Sequence, residues 1–435
     1  MSLLQSSALV VLRKPSSQRL RQIAAGSVSL GLRLASLAGK LALSLYMGKA
    51  FDLAVLGLYG LAFGAVMLAV VLLGFRIDYI ICREIAGFTE ERQRQVGAAA
   101  ALLFLASFAV AAPLLWVALV VTGVTASATF VVLLLLLCGV ESYANYLYTV
   151  TIALRRPALA NALFFIRSGL WTAPAIAVSW FDPSHRTVEF ILGCWLAGTS
   201  ASVLLNVIVL RRQIIGPLRR GGFDWTEIRH ATGAALMIWV GSVAVTLGAY
   251  LDRYVLAGAL SLQEVGVATF YLSFTAAVTT LVQSATTNVT LPTLIAHHDA
   301  DCDPAFRQEL KRTAFMAAGL CVVILIGLAV VMHFLASKLN KPQLVTAYPA
   351  FLLLLVATFV RTHAETLYTG LFVIRAHRAV WLGNLIFLAA SLCCNLVLIP
   401  LLGLNGLGWA AIMSAFVLAA WRQSHLSWDA RQHAV

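Results

Sequence analysis

The chain is a succession of apolar runs, each about 20 residues long and separated by short polar or basic breaks. A helix rises about 1.5 Å per residue, so each run is long enough to cross the roughly 30 Å hydrocarbon core of a bilayer. Residues of the Ala, Val, Ile, Leu, Met, Phe, Trp, Tyr and Cys set make up 61% of the 435 positions, and charged residues only 11%. Soluble domains carry about 25% charged residues, so a soluble enzyme is excluded. A membrane β-barrel needs in/out alternation, which continuous apolar runs lack. The expected fold class is therefore an all-α polytopic membrane protein.

Runs and breakers predict twelve helices, over 22–46, 53–82, 95–121, 128–152, 158–180, 187–210, 229–258, 264–295, 312–336, 346–374, 379–400 and 405–421. Residues 1–21 form a basic arm (Arg13, Lys14, Arg19, Arg21) without a small-residue cleavage site, so the first helix reads as retained rather than as a signal peptide. An even number of spans puts both termini on one side. Of the 31 Lys and Arg, twenty-one fall in loops and termini on that side and four (Lys49, Arg186, Lys338, Lys341) on the other. The positive side faces the cytoplasm, which predicts cytoplasmic termini. The far-side loops are short and leave no external domain for an active site. Seven cysteines, mostly inside spans, form no evident disulfide framework.

The two halves read as copies of one unit. At an offset of 209, the segment from Phe51 through Gly57 to Gly60 aligns with the segment from Leu260 through Gly266 to Thr269. Downstream, the segment Arg92-Gln93-Arg94-Gln95-Val96 resembles Arg307-Gln308-Glu309-Leu310-Lys311, a few residues out of register, and Asn161 and Asn384 each follow a basic turn. The expected organisation is a basic arm (1–21), a six-helix bundle (22–210), a basic linker (211–228), a second bundle (229–421) and a tail (422–435). Six spans is an even number, so the copies share an orientation and are related by a pseudo-two-fold axis along the membrane normal. A cleft between the bundles is the natural substrate site.

Leu251-Asp252-Arg253-Tyr254-Val255-Leu256-Ala257-Gly258, followed by Leu262-Gln263-Glu264-Val265-Gly266, resembles the start of the second half of polysaccharide-transport flippases. Val55-Leu56-Gly57-Leu58-Tyr59-Gly60-Leu61-Ala62-Phe63 resembles the opening of the first half. These flippases belong to the multidrug/oligosaccharidyl-lipid/polysaccharide exporter superfamily. The resemblance spans the twelve-helix plan, with its sharp motifs confined to some thirty residues. Val267-Ala268 departs from it, where an aromatic usually follows the glycine. It implies a V-shaped pair of bundles that carries an undecaprenyl-diphosphate-linked oligosaccharide from the inner to the outer leaflet by alternating access. It also implies a role in O-antigen (lipopolysaccharide) or exopolysaccharide biosynthesis, beside a polymerase and export machinery.

A lipid diphosphate needs cations in a wet cleft to replace its hydration. Six cations lie within predicted spans: Arg33, Lys40, Arg76, Arg167, Arg253 and Arg361. Arg33 and Lys40, seven apart, share one helix face. Arg76 lies near Asp78, so local pairing or snorkelling accounts for it. Arg33, Lys40, Arg167, Arg253 and Arg361 are the candidate substrate-binding residues. The embedded acids Glu141, Asp252 and Glu365 are candidates either for coupling a proton or sodium ion or for holding an arginine as counter-ion, and Arg361–Glu365, one turn apart, is the simplest pair. His297, His298, Asp299, Asp301, Cys302 and Asp303 are expected to lie in a loop and read as solvated rather than metal-binding. Pro113, Pro174 and Pro292 are expected to kink their helices, and Trp116, Trp180 and Trp225 to anchor them at the interface. No cofactor or nucleotide motif, catalytic constellation or nucleic-acid-binding pattern stands out. The reading against which the flippase is weighed is a drug/cation antiporter of the same superfamily, which needs acids facing its ligand. A membrane glycan polymerase or glycosyltransferase is the other, and it needs a large external loop or a carboxylate-rich site.

Overall fold

The computed structural model describes residues 16–76, 102–113, 127–154, 156–210, 225–300 and 303–432. Asp78, Arg92, Arg94, Trp116 and the linker 211–224 lie outside them, as do the side chains of Arg76 and Trp225. Among the described residues, twelve main helices are joined by two shorter ones, Thr287–Asp299 and Pro342–Thr346. In the first half the main helices are α1 (Ser16–Ala50), α2 (Leu53–Leu72), α3 (Leu102–Pro113), α4 (Ala128–Ala153), α5 (Pro157–Phe181) and α6 (Val188–Val209). The second half holds α7 (Trp225–Ala259), α8 (Leu262–Ala285), α9 (Asp303–Lys338), α10 (Tyr348–Val373), α11 (His377–Leu402) and α12 (Leu404–Gln432). Ten are long and apolar enough to cross a membrane, and the protein is a multi-pass membrane protein of two six-helix bundles.

Four helices overrun the apolar stretch that predicts them by four residues or more on the basic side. α1 starts at Ser16 rather than 22, α7 at Trp225 rather than 229, α9 at Asp303 rather than 312, and α12 ends at Gln432 rather than 421. Hydropathy registers only the hydrocarbon-embedded part, whereas backbone hydrogen bonding carries a helix on into the interface. On the far side, short polar side chains cap the helices that follow the turns. Asp52, Ser127, Thr187 and Ser261 are the N-caps of α2, α4, α6 and α8, each accepting from a backbone N–H of the first turn. Ser261 and Glu264 complete a reciprocal capping box. Ser261→Ala is expected to lower stability by about 1 kcal/mol, measurable as a small fall in the thermal midpoint in detergent.

The repeat is visible in the helix bounds. Adding 209 to the limits of α1 and the start of α2 gives those of α7 and the start of α8. For α4 and α5 the offset is 220, with α4 and α10 both 26 residues long and α5 and α11 starting at 157 and 377. The two bundles meet mainly where α2 packs on α8, supported by α2 on α7 and α1 on α8. At this seam the repeat-related glycines face each other. A Cβ on Gly57 would strike the carbonyl oxygen of Leu262, and one on Gly266 that of Leu53. One turn on, Gly60 abuts Thr269, again 209 positions away. These reciprocal contacts mark where the pseudo-two-fold axis passes.

The prolines act less directly than the sequence predicts. In α5 the helix opens into a π turn, Ile166–Leu170, ending at the residue whose carbonyl Pro174 has no N–H to meet. In the second half the break falls at Thr286, after α8, and Pro292 lies inside the continuing helix Thr287–Asp299. Trp180, near the far end of α5, is 59% exposed, as an interface anchor should be. His297 and His298 belong to that same helix, and no metal-holding cluster occurs among the described residues.

Candidate functional site

A cavity of about 520 Å³ lies between the bundles, walled by α1, α2, α7, α8, α10, α11 and α12. Its ionisable lining among the described residues is Lys40 on α1, Asp252 and Arg253 on α7 and Arg361 on α10, with the phenols of Tyr59 and Tyr250. Each cation rests on an aromatic ring. Lys40 Nζ is 5.9 Å from the Phe63 ring centre, Arg253 Cζ 4.8 Å from that of Tyr250, and Arg361 Cζ 4.4 Å from that of Phe387. A ring face holds a cation in place without neutralising it, so Lys40 and Arg253 keep their charge for a ligand, while Arg361 is also ion-paired with Glu365.

Arg253 is the most informative of the three. It is only 7% exposed, and its Nε and Nη1 have no hydrogen-bond partner among the described residues. Asp252 accepts the Arg253 backbone N–H at 2.8 Å, but no ion pair joins the two side chains. Buried guanidinium donors are costly to leave unpaired, and here they belong to a side chain on the cavity wall. Arg361 Nε donates to Glu365 Oε1 at 3.0 Å, as its spacing predicts.

Other sequence candidates lie away from this lining. Arg167 is buried in the first bundle, where its Nε donates to Glu141 Oε1 at 2.7 Å and Thr199 Oγ1 donates to Glu141 Oε2 at 2.8 Å. Arg33, on the Lys40 face of α1 but two turns towards the basic side, donates from Nε to Asn161 Oδ1 at 3.0 Å and from Nη2 to Tyr148 Oη at 2.6 Å. Glu365 sits behind Arg361 and is also 3.4 Å from Arg422 Nη1. The cavity thus brings together Lys40, Asp252, Arg253 and Arg361, while Arg33, Glu141, Arg167 and Glu365 lie outside its lining. At the 220 offset Glu141 matches Arg361, so the equivalent position carries opposite charge in the two halves.

Sequence reasoning places Arg422 in a solvated tail. In the structure it lies within α12 and is 1% exposed, with Nη1 donating to the Ala364 carbonyl and Nη2 to Asn384 Oδ1. The available signal is a paired one: Tyr148 and Tyr368 occupy equivalent positions, each beside an arginine, Arg33 in one half and Arg422 in the other.

No protein-family model matches the sequence, and a search of curated proteins finds no match either. Solved structures do share the fold. An inward-facing multidrug resistance MATE family transporter of the MOP superfamily is 14% identical, with a TM-score of 0.73 over 92% of this chain and 98% of that one. The lipid II flippase MurJ in an inward closed conformation is 12% identical, with a TM-score of 0.71 over 92% and 87%. An outward-facing conformation of a MATE family transporter of the same superfamily is 13% identical, with a TM-score of 0.60 over 92% and 95%. The fold is therefore that of these exporters, with two six-helix bundles.

Proposed function

We propose that the chain is a flippase that moves an undecaprenyl-diphosphate-linked oligosaccharide between leaflets by alternating access, for cell-surface polysaccharide synthesis. The observation that carries this reading is the cavity's charge: three cations seated on rings against one lining carboxylate, Asp252, with Glu365 behind Arg361 as its ion-pair partner. Such a site favours an anion such as a diphosphate or an acidic sugar, and repels the cationic ligand of an antiporter. Lys40, Arg253 and Arg361 contact the anionic group, while Arg33, exposed two helical turns from Lys40, meets it on entry from the basic side. Arg167 holds the first bundle's charge balance through Glu141. The two inward conformations among the similar folds, with higher TM-scores than the outward one, support a state that loads from the basic, cytoplasmic face of the inner membrane. The delivered unit then becomes available to a polymerase and export machinery in the outer leaflet.

The antiporter reading rests on Asp252, and one experiment separates the two. The protein is depleted in its native host and lipid-linked glycans are quantified by leaflet. Completed repeat units confined to the cytoplasmic leaflet are the expected result. Unchanged intermediates together with heightened sensitivity to cationic drugs would transfer the assignment to antiport. Each of Arg253→Gln and Arg361→Gln is expected to reduce transport roughly 10- to 100-fold, the value of a charge-assisted hydrogen bond to a buried ligand, with membrane-inserted protein unchanged.

A further inference from the structure

A second pocket, of about 320 Å³, lies inside the second bundle between α7, α10, α11 and α12. It is separate from the central cavity in its lining, but Glu365 links the two, pairing with Arg361 of the central cavity and with Arg422 of the second pocket. Two of its lining side chains carry buried N–H groups without an acceptor among the described residues, Arg422 at Nε and Trp381 at Nε1. Buried donors are nearly always satisfied by protein, water or ligand, and a volume above about 300 Å³ is of small-molecule size.

The chemistry of the lining restricts the occupant. The charged side chains of this lining are Arg422 and Glu365, with His377 beside them, and Glu365 is shared with Arg361 on the central-cavity side, so Arg422 keeps part of its positive charge uncompensated. That charge suits a monoanion and disfavours both a metal cation and a cationic drug. The rest of the wall is largely apolar or aromatic, including Met237, Val245, Phe372 and Val380, so the body attached to the anion is apolar. We propose that this pocket binds a carboxylate with an apolar body, its oxygens accepting from Arg422 Nε and Trp381 Nε1. A small aromatic acid and a medium-chain fatty acid share this chemistry. Through Glu365, occupancy would alter how firmly Arg361 is held at the central cavity.

The test is equilibrium binding to the purified full-length protein in detergent, followed by tryptophan fluorescence and calorimetry, with benzoate, octanoate and inorganic phosphate as probes. The expected result is saturable one-site binding of benzoate or octanoate, the tighter of the two distinguishing a soluble acid from a lipid-derived one, and little binding of phosphate. Trp381→Phe should weaken binding about tenfold by removing one donor. Ser242→Phe, which fills the pocket from α7 without touching a charged group, should abolish it, and Arg253→Gln in the central cavity should leave it intact. Equal affinity in wild type and Ser242→Phe, or no saturable binding of either acid, would overturn the proposal. Because the assay does not depend on transport, its failure leaves the flippase reading standing, and failure of that reading leaves the pocket assignment standing.

Discussion

Replacing Arg167 with alanine is expected to cost about 3–5 kcal/mol of folded stability, the usual consequence of removing one partner of a buried ion pair. Arg167 and Glu141 are 6% and 3% exposed and lie 2.7 Å apart across α4 and α5. Without Arg167, the buried Glu141 carboxylate would keep the Thr199 hydroxyl, at 2.8 Å, and the field of Lys40, but no ion-pair partner in contact. Thermal or denaturant unfolding in detergent should show the loss directly. The double replacement Glu141→Leu with Arg167→Met should recover most of it, since a well-packed apolar pair often matches or exceeds a buried ionic one. Glu141→Gln separates the two roles that the sequence leaves open for this acid. As a counter-ion, Glu141 would make that variant measurably less stable, with transport reduced only as far as folding is. A stable but transport-dead Glu141→Gln protein would instead make Glu141 a coupling-ion site.

How much of this was legible in the sequence depends on whether a property is local. Hydrocarbon-spanning runs are local, and the twelve helices followed from them. The depth of Lys40, Arg253 and Arg361 in apolar runs is equally local, and all three line the cavity between the bundles, while the Arg361–Glu365 pair is one turn of a single helix. The 209 register was readable at Gly57 and Gly266 because a backbone-to-backbone approach admits only glycine there, so the residue type itself records the contact. It faded downstream because eleven additional residues separate the starts of α8 and α10 compared with those of α2 and α4, shifting the offset to 220. The Arg167–Glu141 pair was not legible. Both residues stood out as embedded, but which acid meets which base across 26 positions depends on how α4 packs on α5. Arg422 was hidden by the same apolar-run logic that found the helices. The run from 405 ends at Trp421, while the helix continues and its next side chain turns inward to Asn384 and Glu365.

The second large effect is expected at the seam of the two bundles. Gly266→Ala should prevent α2 and α8 from closing to their present separation, because the new Cβ would fall inside the van der Waals envelope of the Leu53 carbonyl oxygen, a backbone atom that cannot rotate away. Gly57→Ala should do the same from the other side, against Leu262. Overpacking of this kind typically costs about 1–3 kcal/mol. Here the cost falls only on the conformation in which the far-side ends of α2 and α8 touch, so it shifts a population by roughly 5- to 150-fold rather than simply weakening the fold. Spin labels at Lys49 and Gln263, both exposed beside this seam, should report the shift in a cysteine-free background as a longer distance distribution in Gly266→Ala. Transport that requires the seam to close and part should fall in the same proportion. Gly319→Ala provides the control: it lies on α9 with nothing within 4 Å of an added Cβ, and should be neutral or slightly stabilising through helix propensity. An unchanged distance distribution in both seam variants would mean that the backbone yields locally and that the Gly57–Gly266 contact is not a hinge of the transport cycle.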